Sequence, residues 1–334
     1  MSDLSLMGLI EIIPKIPMLI SRIKLTANSI ISQNPDVLIT IDSPDFCMRV
    51  AKKVRNALPN IKIIHYVAPS VWAWRPERAA KMSKYVDHVL ALLPFEPPYM
   101  EAEGMTCDFV GHPAVSSPDV SKKAQEKFKK KYNLHNGPII TVLPGSRIGE
   151  IKRMCPIFNK VLNNIEKLYP DSQFILPVAS SVEKDVINAV KSWNIKPLLL
   201  LNEGKDLKEI EHDKFITYSI SSAALATSGT VSLELAAKKC PMIVAYKANW
   251  ITTKMVKKLA KIDTANLINI ITDTKVIPEH LFENCTVENI TESLRLLLNN
   301  DNNQIKAMEE TMNRLGASRK DIHLLAANSV LSNI

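Results

Sequence analysis

The sequence predicts an α/β fold of two Rossmann-like domains, each a mostly parallel, doubly wound sheet. Three observations carry this. Eight short apolar runs recur along the 334 residues, mostly bounded by Pro, Asp or Gly, as buried parallel strands are. Helical patterns lie between them, and strand–helix alternation selects parallel sheets with helices on both faces. Residues 115–138, a Ser/Pro stretch followed by a Lys-rich helix, separate an earlier strand series from a later one. The length suits two domains, expected at 1–136 and 137–315, with a helical tail at 316–334.

In chain order, residues 7–20 are apolar but broken by Glu11, Pro14, Lys15 and Pro17. This stretch is too short and too interrupted to span a bilayer. With Arg22 and Lys24 beside it, it fits an interfacial helix, and equally a core-packed amphipathic one. The first strand, 36–41, runs into Asp42-Ser43-Pro44-Asp45-Phe46 and a helix at 48–57. Carboxylates at a strand's carboxyl end sit on the ligand edge of such a sheet. Asp45 reads as the N-cap of the helix. Asp42 is then the chemical group, a candidate general base toward a hydroxyl, with an ordinary turn residue as the alternative.

The second strand, 61–64, feeds the run from His65 to Arg75, which holds Trp72 and Trp74, two of the four tryptophans. Large aromatics and an arginine in a Pro-interrupted loop point to a ligand loop at a strand end. A helix at 77–82, a strand at 89–93 and the apolar segment 107–110 follow, the last ending in Gly111-His112-Pro113. His65 and His112 are each open between a structural and a catalytic role.

In the second half, strands are expected at 139–143, 174–178, 198–201, 223–226 and 242–246, with helices at 151–168, 182–193 and 231–238. Glycine is scarce, nine in all, so its placement is informative. Gly145, Ser146 and Arg147 link the strand at 139–143 to a helix. A strand–Gly turn–helix start offers backbone N–H groups and a positive dipole end, which suit a phosphate. Arg147 can clamp a diphosphate bidentately. A tight turn with a surface arginine is the alternative. Ser228, Gly229 and Thr230 repeat the arrangement after 223–226. Glu234 follows one helical turn later, where a carboxylate suits a ribose diol. A capping box does not explain this turn, because Leu233 stands where it needs Glu. Neither a dinucleotide GxGxxG nor a Walker A lysine is present.

Composition bounds the classes. Hydrophobic residues make up 46% and charged residues 23%, as in ordinary globular domains. Lys and Arg number 42 against 34 Asp and Glu, a basic balance that suits an anionic surface or a phosphorylated substrate. No nucleic-acid motif accompanies it, and no nucleic-acid partner is expected. The five cysteines at 47, 107, 155, 240 and 285 form no CxxC pair. Neither a disulfide framework nor a zinc site is expected, and a reducing cytoplasm is. The spacing of Asp42 and Asp45 lacks a third ligand, so no metal or cofactor is expected.

Taken together, these motifs resemble one family, the lipid-A-disaccharide synthases, bacterial glycosyltransferases of GT-B architecture. The resemblance rests on residues 41–46, the run from His65 to Arg75, Leu92-Leu93-Pro94-Phe95-Glu96 and residues 109–113. It continues through residues 143–147 with Glu150, Ser228-Gly229-Thr230 with Leu233-Glu234, and Lys239-Cys240-Pro241-Met242. It implies an inverting enzyme that joins UDP-2,3-diacylglucosamine to 2,3-diacylglucosamine 1-phosphate. The product is a β-1,6 tetraacyl disaccharide 1-phosphate, with release of UDP. Asp42 matches the family's aspartate and Arg147 its P-G-S-R arginine, while Glu234 and Asn269 match polar positions on the nucleotide side. His65, Trp72, Trp74, Arg75 and His112 fall on the acceptor side. The resemblance also implies a cytoplasmic protein on the inner face of the inner membrane, with a homodimer as a candidate assembly.

Three departures accompany it. The family's first strand and its Gly-rich A-G-E-x-S-G-D loop have no counterpart here, so a truncated N-terminal domain is expected. The family's L-P-N-L-L-x-G keeps Asn269 but reads Leu267-Ile268-Asn269-Ile270-Ile271-Thr272-Asp273. Ser222 stands where an acidic residue is common. The first departure motivates an alternative reading, an inactive or partial nucleotide- or lipid-binding remnant of the enzyme.

Overall fold

The computed structural model describes residues 16–249, 253–254, 262–299, 303–318 and 321–334. The expected apolar stretch at 7–20 lies outside the described residues up to position 15. The described residues fall into two compact units. The first comprises residues up to Pro113 with the segment from Leu315 to the end, and the second runs essentially from Ala114 to Arg314.

The first unit holds a four-stranded sheet, β1 (Val37–Ile41), β2 (Lys62–Tyr66), β3 (His88–Ala91) and β4 (Thr106–Phe109), in the spatial order β1-β2-β3-β4. Every pair is parallel, with Thr40 opposite His65 and Ile41 opposite Tyr66. The helices Ile16–Gln33 and Pro44–Ala57 bring Ile23, Ala27, Val50 and Val54 onto one face, over Leu38, Ile63 and Val89. Burying each such aliphatic side chain is worth about 1.5–3 kcal/mol. On the other face Ala326 and Val330, from the helix Ile322–Leu331, pack over Ile64, Leu90 and Val110.

Two features anchor that last helix. Ser329 Oγ donates to Asp108 Oδ2 at 2.6 Å and lies 2.9 Å from His88 Nε2. Gly111, at φ +85, lets the helix approach, since a Cβ there would sit 2.7 Å from Ile322 Cγ2.

The expected N-cap at Asp45 is corrected. The helix starts at Pro44, and the capping position is Ser43, which makes no side-chain cap bond. Proline is pre-set for the first helical position, so the start falls earlier than the apolar pattern suggests. Asp45 lies in the first turn instead, bonded to Arg78.

The second unit holds a six-stranded, fully parallel sheet: β5 (Ile139–Leu143), β6 (Gln173–Pro177), β7 (Leu198–Leu200), β8 (Ala223–Thr227), β9 (Met242–Tyr246) and β10 (Glu279–Leu281). The spatial order is β10-β9-β8-β5-β6-β7. From β5 the chain therefore builds outward through β6 and β7, then crosses back to β8 and builds the other way. The reversal point lies between β5 and β8, where open α/β sheets bind ligands outside the strand ends. The helices Ile148–Leu168 and Val287–Leu298 cover one face through Met154, Phe158, Leu162, Ile290 and Leu294. The helices Lys122–Lys131 and Leu207–Ile220 cover part of the other through Phe128 and Ile216. Among the described residues no helix is long and apolar enough to cross a membrane.

Candidate active site

On the first unit the site is built at the carboxyl ends of β1 and β2. The N–H of Asp42 donates to Tyr66 O at 2.9 Å, so the turn after β1 starts beside the end of β2. Asp42 is exposed. Four non-glycine residues here adopt left-handed backbone: Asp42 at φ 51, Ser43 at 45, Val67 at 80 and Arg75 at 51. Such conformations are unfavourable for residues with a Cβ, most of all a β-branched one, and concentrate at functional sites.

His65 is the penultimate residue of β2, not a member of the loop. It is fully buried, with Nδ1 2.8 Å from Thr40 Oγ1 and Nε2 without a hydrogen-bond partner. Burial pushes its pKa down to about 4, partly offset by nearby Asp42. It is therefore a neutral imidazole at pH 7.

The aromatic loop has a fixed internal structure. Trp72 donates its indole N–H to Glu96 Oε1 at 3.2 Å and meets Phe95 edge-on at 5.1 Å. Glu96 also accepts the N–H groups of Leu92 and Leu93 at 3.2 and 3.0 Å. Burial drives this carboxyl up to about 7 despite those three donors. Trp72 is thus joined to the Leu92–Glu96 segment. Trp74 carries the guanidinium of Arg75 4.3 Å from its ring centroid and that of Arg78 at 5.3 Å. Arg78 in turn reaches Asp45 with two bonds of 2.9 and 3.2 Å. His112 donates its N–H to Leu315 O at 3.0 Å, and burial pushes its imidazole down to about 4.

On the second unit the two expected phosphate turns are brought side by side. Leu143, at the end of β5, is paired with Ala226, at the end of β8. The turns at 144–147 and 228–230 therefore leave neighbouring strands at the reversal point of the sheet. The helix after the first begins at Ile148, with Arg147 at its N-cap position and no side-chain cap. Its leading N–H groups point out of the N-terminus. Glu150 closes this turn, accepting the Ser146 N–H at 2.9 Å and Arg147 Nη1 at 2.7 Å. Ser181 braces it from the end of β6 by donating to Ser146 O at 2.9 Å.

After β8, Ser228, Gly229 and Thr230 form the second turn. Thr230 makes no side-chain cap bond, and Thr227 Oγ1 is buried without a partner. Glu234, one turn into the helix Val231–Ala237, accepts from Lys214 Nζ at 3.1 Å. The phenol of Tyr218 faces it too, held well above its usual range by burial and that carboxylate. Lys214 and Tyr218, both on the helix Leu207–Ile220, escaped sequence reasoning.

Asn269 is placed differently. It is buried in the helix Leu267–Thr272, and its amide accepts from Ile277 N at 2.9 Å and donates to Ile277 O at 2.9 Å and Glu279 at 3.1 Å. It holds the chain entering β10. Among the described residues no group of three His, Cys, Asp or Glu side chains converges as a metal site.

Residues 1–331 match the family model described as lipid-A-disaccharide synthetase. The lipid-A-disaccharide synthase of Ruegeria pomeroyi is 45% identical over 334 residues, covering 100% of this chain and 83% of that protein. That of Rhodospirillum centenum is 38% identical over 338 residues, covering 100% and 82%. Among solved structures, UDP-GlcNAc 2-epimerase from Neisseria meningitidis bound to UDP-GlcNAc has a TM-score of 0.60 at 13% identity, covering 93% of this chain and 80% of that one. The S. aureus MnaA–UDP co-structure has a TM-score of 0.60 at 14% identity, covering 95% and 80%. These two likenesses are of fold alone, the GT-B class with two parallel, Rossmann-like sheets. By the match along its length, the chain belongs to the lipid-A-disaccharide synthase family.

Proposed function

We propose that the chain transfers 2,3-diacylglucosamine from its UDP derivative to the 6-hydroxyl of 2,3-diacylglucosamine 1-phosphate. UDP is taken by the second unit and the acceptor by the first. The observation that carries this reading is the pair of small-residue turns at the ends of β5 and β8, at the point where strand order reverses. Such a point is the usual ligand position of an open α/β sheet, and N–H groups of a helix start favour phosphate there.

Asp42 acts as the base. It takes the proton of the 6-hydroxyl as that oxygen bonds to the anomeric carbon from the face opposite UDP. The bond from that carbon to the UDP oxygen breaks, and its electron pair leaves on the diphosphate. Arg147 and the N–H groups of the first turn stabilise the charge that develops there. The Glu150 carboxylate shapes the turn: it orients the guanidinium and takes up the Ser146 N–H, which leaves the leading N–H groups of the helix from Ile148 as the donors. Glu234 binds the ribose hydroxyls, held by Lys214 and Tyr218. The acylated substrates draw the protein to the inner face of the inner membrane. The exposed Ile16, Ile20 and Leu25 on the helix Ile16–Gln33 support this surface role.

The test is UDP release by the purified chain, with donor and acceptor supplied together and separately. Release that requires the acylated acceptor, with a β-1,6 disaccharide product, is expected. Saturable UDP binding without any disaccharide refutes the transferase reading and leaves a nucleotide-binding remnant.

A further inference from the structure

We infer that Arg75 is the residue that recognises the acceptor's phosphate, an inference that rests on the acceptor reading proposed above. Two guanidinium groups lie over the Trp74 ring, and only one of the two is neutralised. Arg78, 5.3 Å from the ring centroid, is engaged by both oxygens of Asp45 at 2.9 and 3.2 Å. Arg75, 4.3 Å from the same ring, has no carboxylate within ion-pair reach among the described residues. The stack therefore carries one uncompensated positive charge, held at Arg75.

That charge is preorganised. The Arg75 backbone is left-handed at φ 51, a conformation unfavourable for a residue with a Cβ. Bonds on both sides hold it: Trp74 N–H to Ser70 O at 3.2 Å, and Arg78 N–H to Arg75 O at 3.1 Å. A guanidinium stacked on an indole loses little further freedom when it binds. Its planar fork matches two phosphate oxygens, which an ammonium does not.

Its position fits the acceptor. The Asp45–Arg78 pair ties the first turn of the helix Pro44–Ala57 to the segment after the aromatic loop, and Asp42 stands just ahead of that helix. β1 and β2 are neighbours in the sheet, and neighbouring strands lie about 4.8 Å apart. The 6-hydroxyl, on the carbon attached to C5, and the 1-phosphate, on C1, flank the ring oxygen of one pyranose. A base after β1 and a cation in the loop after β2 are groups that a single sugar can bridge. Arg147 does not compete for this role, because it belongs to the second unit, at the turn proposed for UDP.

The test compares Arg75→Met, which keeps apolar bulk over Trp74, with Arg75→Lys. Two acceptors are used, diacylglucosamine 1-phosphate and the same lipid without phosphate. For Arg75→Met we expect KM for the phosphorylated acceptor to rise about 10- to 100-fold, the range of one or two charge-assisted bonds. KM for the UDP-sugar should stay unchanged, Arg75→Lys should recover part of the loss, and wild type and variants should act alike on the phosphate-free acceptor. Equal losses on both acceptors, or no loss on the phosphorylated one, overturn the inference. Calorimetric binding of glucosamine 1-phosphate against glucosamine supplies a readout without turnover. Phosphate-dependent binding that disappears in Arg75→Met upholds Arg75 even where no disaccharide forms. Phosphate-independent binding overturns it even where turnover is normal.

Discussion

Gly145→Ala tests whether the first phosphate turn has the geometry its chemistry requires. Gly145 sits at φ +122, which L residues rarely adopt, and a Cβ there would lie 2.5 Å from both Cβ and Oε2 of Glu150. The backbone strain alone is worth about 1–3 kcal/mol. Glu150 has to shift, and with it goes the bond from Ser146 N–H, about 1.5–3 kcal/mol for a charged acceptor. The Arg147–Glu150 pair adds little, because the Arg147 side chain is 42% exposed and its ion pair is screened by solvent. The expected cost is about 3–5 kcal/mol, a large part of the 5–15 kcal/mol typical of a folded domain. Urea unfolding followed by circular dichroism reads this cost, and UDP titration below the transition reads the site. UDP affinity should fall at least about tenfold, the worth of one displaced charge-assisted bond. Glu150→Gly in the same chain should relieve both contacts but not the strain, so the double variant should be less unstable than additivity predicts. A loss below about 1 kcal/mol with unchanged UDP affinity refutes the reasoning.

Asp42→Asn should lower kcat by about 10²–10⁴-fold with UDP affinity intact, as loss of a general base does; a near-normal kcat removes Asp42 from that role. Glu96 has a folded pKa of about 7 against an ordinary 4.5, so its contribution to stability is present below pH 4.5 and lost as pH rises to 7. Relative to Glu96→Gln, the wild type should lose about 3 kcal/mol of unfolding free energy across that window, at 1.36 kcal/mol per pH unit; parallel curves would refute it. His65, lowered to about 4 from 6.5, has the opposite sign. Its contribution is present above pH 6.5 and should fall by about 3 kcal/mol toward pH 4 relative to His65→Gln, measured the same way. Asn269→Leu should destabilise the chain by about 2–4 kcal/mol through its three amide bonds; unchanged thermal unfolding with lost UDP binding would instead make Asn269 a nucleotide ligand.

Much of the fold follows from the short-range pattern. The runs at 139–143 and 242–246 are β5 and β9 residue for residue, because strands buried on both faces are continuous apolar runs. β10 escaped because Glu279-His280-Leu281 is three residues long and only half-buried, so it carries no apolar signature. The helix Leu207–Ile220 escaped because its apolar residues do not form one stripe, although its Asp206–Glu209 capping box is a local signal that marks its start. In the candidate site, the two small-residue turns are legible from Gly145 and Gly229. Glu150 is legible as a motif residue, but not as the group that closes the turn. Arg78 and Asp45 meet across 33 positions, and Glu96 and Trp72 across 24. No periodicity or spacing rule reaches those pairs, because they are products of tertiary packing.

The two units solve positioning by different physics, and this explains why one is easier to read from sequence. The second unit uses glycine at the one place where strand order reverses, so the backbone itself supplies donors and needs few helpers. The first unit places Asp42, Ser43, Val67 and Arg75 in left-handed conformations without glycine. Each is unfavourable alone and persists only when its surroundings over-determine it. Those surroundings are identifiable: Trp72 held by Glu96, Trp74 stacked by Arg78, Arg78 held by Asp45, and the Asp42 amide bonded across to β2. A glycine would relieve the strain at any of these positions but would also enlarge the conformational freedom lost on folding. Keeping side chains there holds Asp42, the proposed base, and Arg75, the proposed phosphate-binding cation, in fixed directions. Side-chain chemistry is thus the reason for strain on the first unit, as backbone chemistry is the reason for glycine on the second.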